Sequence, residues 1–304
     1  MKAKHLTSCA ALGAGIVAIS FGAIFTRLAG SPAPMVAALR MMLSSLMLAP
    51  FALGSARARR ELARLSRRDL ALIGLSGVFL ALHFILWISS LSFTGVTASV
   101  VFVTTNPLWV ALFTLFFLKE KSSRLFWFGL ALAVAGGAII GGADAAGGGL
   151  RWQGDLLAIG GAVAIAGYFC VGSRLRRRLS LLAYIFPVYS FAAVVLCAGA
   201  LVSKVPLTGY GWESYAYCFL MAIICQILGH SVFNWALRHL AATVVAIAVL
   251  GEPVGASVLA LFVLGEVPRR AEIVGGILIL SGIFLVLSFS PQSAQEREPT
   301  ASGG

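Results

Sequence analysis

The chain has 304 residues, of which 60% are hydrophobic and only 11% are charged. A soluble protein of this length needs more charge to solvate its surface, and a mean hydropathy of +0.96 excludes that class. The net charge of +12 does not indicate a nucleic-acid partner, because the basic residues lie in short segments between apolar runs. The chain is therefore predicted to be an all-α polytopic membrane protein, with the lipid bilayer as its surroundings.

Ten apolar stretches, each long enough to cross the roughly 30 Å hydrocarbon core of a bilayer, follow one another along the chain. The predicted transmembrane helices cover residues 8–26, 34–53, 69–91, 96–117, 123–141, 153–172, 182–203, 214–237, 242–264 and 271–289. Most of the 23 lysines and arginines fall on one side of these helices, including the basic loop from Arg57 to Arg68. Because cytoplasmic loops are enriched in these residues, the N- and C-termini are both predicted to be cytoplasmic.

The two halves of the sequence repeat each other. An offset of 146 residues places Asn106-Pro107 on Glu252-Pro253, and an offset of 147 places Arg27-Leu28 on Arg174-Leu175. Each half contains five predicted helices, and because five is odd the second half must cross the membrane in the opposite sense. The sequence therefore predicts two inverted five-helix repeats, at residues 1–147 and 148–289, followed by a disordered cytoplasmic tail at residues 290–304.

Two duplicated segments carry a family resemblance. The stretch from Val96 through Asn106-Pro107 to Lys119-Glu120 resembles the helix that ends in a glutamate in EamA-type members of the drug/metabolite transporter superfamily. The stretch from Glu252-Pro253 to Gly275-Gly276 follows the same pattern. Arg40 matches an arginine that is common in the second helix of that family.

The resemblance covers about residues 8–289 and implies a ten-helix, five-plus-five plan. It implies alternating-access transport of small polar metabolites by a multi-pass protein of the bacterial cytoplasmic (inner) membrane. Within the superfamily the chain looks most like the amino-acid exporters, including the YddG-type branch of aromatic amino acid exporters.

Polar side chains within the predicted helices are candidate functional residues, because polar groups in hydrocarbon cost free energy. Gln226, His230 and Asn234 recur every four residues, which places all three on one face of an α-helix. Such a stripe suits an aqueous cavity that binds an ammonium group, a carboxylate or water. The alternative is that these side chains hydrogen-bond to neighbouring helices and hold the bundle together.

The repeat maps this stripe onto Phe79, His83 and Trp87 in the third predicted helix. Trp87 can stack on a flat substrate side chain and attract an ammonium group, or it can anchor the helix at a membrane interface. His83 can contact the substrate, or its neutral imidazole can bond within the bundle.

Glu252 is an acidic residue expected near the middle of the membrane. Its carboxylate can bind a substrate ammonium group or carry a proton that drives transport. Pro253 follows it, and Asn106 with Pro107 occupies the equivalent place in the first repeat. The two prolines are predicted to be paired hinges, or else fixed bends around a cavity.

Arg40 lies inside the second predicted helix. It can bind a substrate carboxylate with two hydrogen bonds, or extend to the membrane surface and hold an external loop. Glu120 and Glu266 are expected to form salt bridges in loops. The glycines of the fifth and tenth helices are expected to allow close helix packing.

These features predict a secondary transporter that exports small metabolites, most notably a broad range of amino acids, through a central cavity between the repeats. The alternatives are another substrate class (sugar, nucleotide or purine, or lipid) and a channel. No HExxH, GxSxG or P-loop pattern occurs, so no enzyme function is predicted. The five scattered cysteines indicate neither a metal site nor a disulfide framework, and no cofactor is expected. The expected assembly is a monomer or a homodimer.

Overall fold

The computed structural model describes residues 2–118, 123–146, 149–236 and 249–288, and every regular element among them is helical. Helices are expected here, because a segment in lipid must satisfy its backbone hydrogen bonds internally. In chain order they are α1 (Lys2–Ala29), α2 (Ala33–Gly54), α3 (Ala56–Ala63), α4 (Arg67–Ser90), α5 (Val96–Val103), α6 (Asn106–Leu118), α7 (Arg124–Ala146), α8 (Arg151–Arg176), α9 (Leu181–Val202), α10 (Trp212–Leu220), the π-helix π1 (Met221–His230), α11 (Ser231–Ala236), α12 (Glu252–Leu259), the π-helix π2 (Ala260–Leu264) and α13 (Arg270–Ser288).

Seven helical segments of the described chain are long and apolar enough to cross a membrane: Ala11–Ala29, Ala33–Gly54, Arg67–Ser90, Val96–Phe113, Arg151–Arg176, Leu181–Val202 and Trp212–Ala236. Two shorter apolar helices cover Trp127–Ala143 and Glu252–Leu264. The protein is therefore a multi-pass helical membrane protein. The count of ten helices and the cytoplasmic termini stay predictions, and Glu120 and the tail at 290–304 lie outside the described residues.

The predicted hinge prolines lie where new helices begin. Pro107 follows Asn106 at the start of α6, after a break at Thr104 and Thr105, and Pro253 follows Glu252 at the start of α12. Proline is tolerated in the first helical turn, because the N–H that it lacks would have no intrahelical partner there. Two interrupted membrane segments therefore occupy equivalent positions in the two repeats.

The eighth predicted transmembrane helix differs from the regular α-helix that the sequence indicated. Its middle, π1, is a π-helix, and the Ser231 N–H bonds the carbonyl of Gln226, five residues earlier. This wider turn changes which side chains share a face, so the four-residue spacing was the wrong guide to this helix.

Packing between the helices follows the sequence repeat. Helix α4 packs along α8, and the equivalent pair under the repeat, π1 and α1, also packs together. Both α5 and α6 contact α8, and in the same way α12 contacts α1. Helices α2 and α9, which are equivalent to each other, form a further contact between the halves. The core of the bundle is therefore built largely from surfaces that join one half to the other.

Helices α7 and α13 approach each other through glycines. A Cβ atom placed on Gly136 would lie 2.5 Å from the Gly275 carbonyl oxygen, and one on Gly275 would lie 2.6 Å from the Gly136 oxygen. Gly282 similarly lies against the Gly129 carbonyl. The close packing predicted for these glycines is confirmed, and it occurs within one chain.

This contact predicts opposite outcomes for two substitutions on α7. Gly136→Ala forces a methyl group against the α13 backbone and should destabilise the protein by about 1–3 kcal/mol. Gly142→Ala meets no atom within 4 Å and should leave stability unchanged or raise it by up to about 1 kcal/mol through helix propensity. Thermal unfolding of both variants in the same detergent tests the pair. Equal melting temperatures would contradict the close approach.

Candidate functional site

A narrow cavity of about 40 Å³ lies between the two halves of the bundle. Both repeats line it, and side chains come from α1, α2, α4, α5, α6, α8, π1, α11 and α12. The polar members are Arg40, His83, Trp87, Asn106, His230 and Glu252, and the apolar members are Ile19, Val103, Ile165, Phe169, Phe233 and Val249. Because one water needs about 10–15 Å³ of such space, the cavity has room for only a few waters. A bound metabolite would have to widen it.

Arg40 forms the centre of the polar lining. Its side chain is only 1% exposed, so it does not extend to a membrane surface. Nε and Nη2 donate hydrogen bonds of 3.2 and 3.0 Å to Oε1 of Gln226, and the guanidinium lies 4.1 Å from the Phe84 ring centroid. Nη1 has no hydrogen-bond partner among the described residues. The guanidinium is thus fixed in place while one of its donors is left for an incoming acceptor.

The three residues of the predicted polar stripe have different positions. His230 lines the cavity, whereas the fully buried Gln226 lies behind Arg40 and holds it. The Asn234 amide donates to the Tyr168 hydroxyl at 3.1 Å and to the His230 carbonyl at 2.9 Å. Of these three residues, therefore, His230 lines the cavity, while Gln226 and Asn234 hydrogen-bond to side chains of neighbouring helices.

Aromatic rings form one wall of the cavity. Trp87 is 4% exposed and stacks on His83 at a centroid distance of 6.2 Å and an interplanar angle of 5°. His83 Nδ1 is 3.0 Å from the Gly161 carbonyl oxygen, and the His230 ring meets His83 edge-on at 6.3 Å. The indole N–H of Trp87 lacks a partner within the described part of the chain. Trp87 is therefore a cavity residue here and not an interfacial anchor.

Small residues make room for this tryptophan. A Cβ atom on Gly22 of α1 would lie 3.0 Å from Trp87 Cη2, and one on Gly161 of α8 would lie 3.4 Å from Trp87 Cβ. Glycines on two equivalent helices of the repeats therefore lie against this residue, Gly22 of α1 against the indole and Gly161 of α8 against its Cβ and backbone.

Glu252 and Asn106 enter the cavity from the starts of α12 and α6. Glu252 is the acidic residue of the described lining, and its position in the first turn of α12 suits a negative charge because helix N-termini carry partial positive charge. The Asn106 amide donates a hydrogen bond of 3.3 Å to the Val103 carbonyl, across the two residues that separate α5 from α6. Equivalent positions of the repeat thus supply one carboxylate and one amide.

Three buried tyrosines lie between the cavity and the end of the bundle that carries the basic loop from Arg57 to Arg68. Tyr168 bonds Asn234, Tyr184 bonds Ser76 at 2.9 Å, and Tyr189 bonds Ser231 at 3.2 Å. All three rings are at most 1% exposed. Hydroxyl groups inside apolar segments are the sequence signal that could have identified these tyrosines.

At the opposite end of the bundle, Glu266 contacts both α1 and α5. One carboxylate oxygen accepts the Val96 N–H at 2.6 Å, and the other lies 3.8 Å from an Arg27 nitrogen. Arg27 also donates to the Thr94 carbonyl at 3.0 Å. This loop therefore ties α1 to the start of α5.

The described residues contain no group of three His, Cys, Asp or Glu side chains that could hold a metal ion. The cavity instead combines hydrogen-bond donors, one carboxylate and aromatic faces, a set suited to an organic ligand with charged and flat parts.

The contact between Arg40 and Gln226 predicts the effect of removing the acceptor. Gln226→Leu leaves a buried guanidinium without its acceptor and should lower the free energy of unfolding by about 1–3 kcal/mol. Gln226→Glu keeps acceptor oxygens beside Arg40 and should retain the wild-type melting temperature or exceed it. Thermal unfolding in detergent compares the three proteins, and a fully stable Gln226→Leu variant would contradict this role.

Comparison with known proteins agrees with this architecture. The family model of the EamA-like transporter family matches the chain twice, at residues 6–142 and 152–288. Among solved structures, 25 chains match. One of them, titled only as the crystal structure of a protein, has a TM-score of 0.66 and 16% identity over 94% of this chain and 98% of its own, which shows a shared fold. No curated protein matches.

The two family matches together cover most of the sequence, and they coincide with the two halves whose contacts enclose the cavity. Members of this family are membrane transporters of small molecules and generally not enzymes. The chain belongs to the EamA-like transporter family.

Proposed function

We propose that the protein exports amino acids across the bacterial cytoplasmic membrane by alternating access through the cavity between its repeats. The observation that carries the proposal is the pairing of Arg40, which has an unused N–H, with the Glu252 carboxylate in one lining. An α-amino acid has a carboxylate that needs such donors and an ammonium group that needs such an acceptor.

The aromatic wall supports a broad range of amino acids with aromatic ones included. Trp87, His83 and His230 offer ring faces and edges, and Phe169 and Phe233 add apolar surface. Stacking on such rings tolerates different flat side chains and contributes about 0.5–1.5 kcal/mol per aromatic pair. The charged groups would select the amino-acid backbone, while the wall would accept the variable part.

The closed geometry supports alternating access. The tyrosine contacts lie on one side of the cavity and the Glu266 contacts on the other, and both join helices that must separate for a ligand to pass. The breaks before Asn106 and Glu252 lie at the cavity itself. Interrupted helices at equivalent places in two repeats are typical of secondary transporters.

Transport by the purified protein in sealed liposomes tests the substrate. Labelled tryptophan and threonine should enter saturably, and vesicles preloaded with unlabelled tryptophan should show accelerated exchange, which a channel does not give. Tryptamine, which lacks the carboxylate, and indole-3-propionate, which lacks the ammonium group, should compete at least about tenfold more weakly, since each loses a charged contact worth about 1.5–3 kcal/mol.

Two variants test whether Arg40 binds the substrate carboxylate. Arg40→Lys keeps the charge but loses the planar donor pair, so it should reduce the preference for tryptophan over tryptamine, whereas the surface variant Arg270→Gln should not. Absence of uptake for every amino acid, in vesicles shown to be sealed and loaded, would overturn the proposal. An unchanged tryptophan-to-tryptamine ratio in Arg40→Lys would leave amino-acid transport standing and remove Arg40 from carboxylate recognition.

Proton coupling is tested at Glu252. If this carboxylate carries a proton during the cycle, an imposed pH gradient should accelerate wild-type tryptophan transport and should have no effect on Glu252→Gln, which cannot titrate. Exchange without a gradient should persist in the variant at a higher tryptophan concentration, because the amide keeps an acceptor oxygen but loses the charge that binds the ammonium group. This exchange shows that the protein is folded. A gradient effect retained in Glu252→Gln would place the coupling elsewhere.

A further inference from the structure

One end of the molecule carries exposed arginines that do not line the cavity. Six exposed arginines lie between residues 57 and 68, and three more lie at Arg174, Arg177 and Arg178. Neither segment contains a lysine. They belong to different repeats and are separated by more than a hundred residues, so only the fold brings them together.

Two acidic residues join the segments. One oxygen of Glu61, on α3, accepts the Arg57 Nε–H at 2.9 Å, and the other accepts the Ser180 N–H at 2.6 Å. Asp69, at the start of α4, pairs with Arg178. Helix α3 and the loop after α8 therefore form one folded surface, here called the arginine surface (residues 57–68 and 174–178).

Both carboxylates are engaged in these internal contacts. Partial desolvation raises the pKa of Glu61, but the hydrogen bonds from Arg57 and Ser180 outweigh this effect and hold the pKa below its ordinary value. The carboxylate therefore remains charged near neutral pH. The other exposed arginines are left with a strong excess of positive charge. Membrane topology depends on how many basic residues the loops contain. It does not require that two basic loops contact each other.

The position of the surface identifies its partner. Phe51 is 67% exposed and Leu53 is 52% exposed at the end of α2, and Leu70 is 54% exposed on α4. Leu70 follows Arg67 by about 5 Å along the helix axis. The arginines therefore border exposed apolar side chains of α2 and α4.

We infer that the arginine surface binds the headgroups of anionic phospholipids. A guanidinium group can bind two phosphate oxygens at once, and a cluster of exposed arginines beside a transmembrane helix attracts anionic lipid more strongly with each residue added. This site lies outside the transport cavity and does not depend on which substrate is carried.

Lipid retention by the full-length protein tests the inference. The protein is incorporated in nanodiscs of equal parts phosphatidylglycerol and phosphatidylethanolamine, then extracted in mild detergent, and the retained lipids are counted by mass spectrometry. The wild type should retain phosphatidylglycerol in several-fold excess. Within the described part of the chain, no hydrogen bond or ion pair involves the side chain of Arg59, Arg60 or Arg64. The triple variant R59Q/R60Q/R64Q should therefore fold, and its phosphatidylglycerol excess should fall to near parity with phosphatidylethanolamine.

The matched control removes three exposed cations at the opposite end, in R151Q/K204Q/R270Q, and should keep the wild-type preference. An equal loss in both triple variants, or no preference in the wild type, would overturn the inference. Inorganic pyrophosphate, compared with sodium chloride of equal ionic strength, separates a lipid surface from a site for soluble phosphates. Selective displacement of phosphatidylglycerol by millimolar pyrophosphate would overturn the lipid assignment in favour of a soluble anion.

Discussion

The site depends on the burial of one positive charge, that of Arg40. A guanidinium inside an apolar bundle costs several kcal/mol unless acceptors and aromatic faces surround it. Gln226 supplies the acceptor, and the Phe84 ring supplies a face at 4.1 Å. These contacts tie α2 to π1 and α4, so the charge that is available to a ligand also fixes the helices that enclose it.

Equivalent loops of the two repeats contact neighbouring helices through different kinds of interaction. At the arginine-rich end, Arg178 of the loop after α8 pairs with Asp69 at the start of α4. At the other end, Ser31 of the loop after α1 donates to Ser214 at the start of α10, at 3.0 Å. Arg178 and Ser31 are equivalent under the offset of 147 residues. At this equivalent position one repeat therefore has an ionic contact and the other a neutral one, and of these two contacts only the ionic one is weakened by salt.

Much of the fold could be predicted from sequence, because lipid permits few alternatives to helices. Apolar length located the segments, and the offset between Asn106-Pro107 and Glu252-Pro253 located the two breaks that meet at the cavity. Side-chain orientation was harder. The π-helix at Met221–His230 changes the helical period without a signal in the sequence, so Gln226 and Asn234 could not be separated from His230. Phe169 and Phe233 line the cavity, yet in an apolar segment they do not differ from core residues.

The contracted cavity and the unused donor of Arg40 have a common explanation in the proposed mechanism. A ligand that brings a carboxylate to the Arg40 Nη1 donor gains a charge-assisted hydrogen bond worth about 1.5–3 kcal/mol. A cavity of about 40 Å³ cannot accept such a ligand without separating the halves. The free energy gained at Arg40 is then available to offset the breaking of contacts such as those of Glu266, so binding and opening become linked steps.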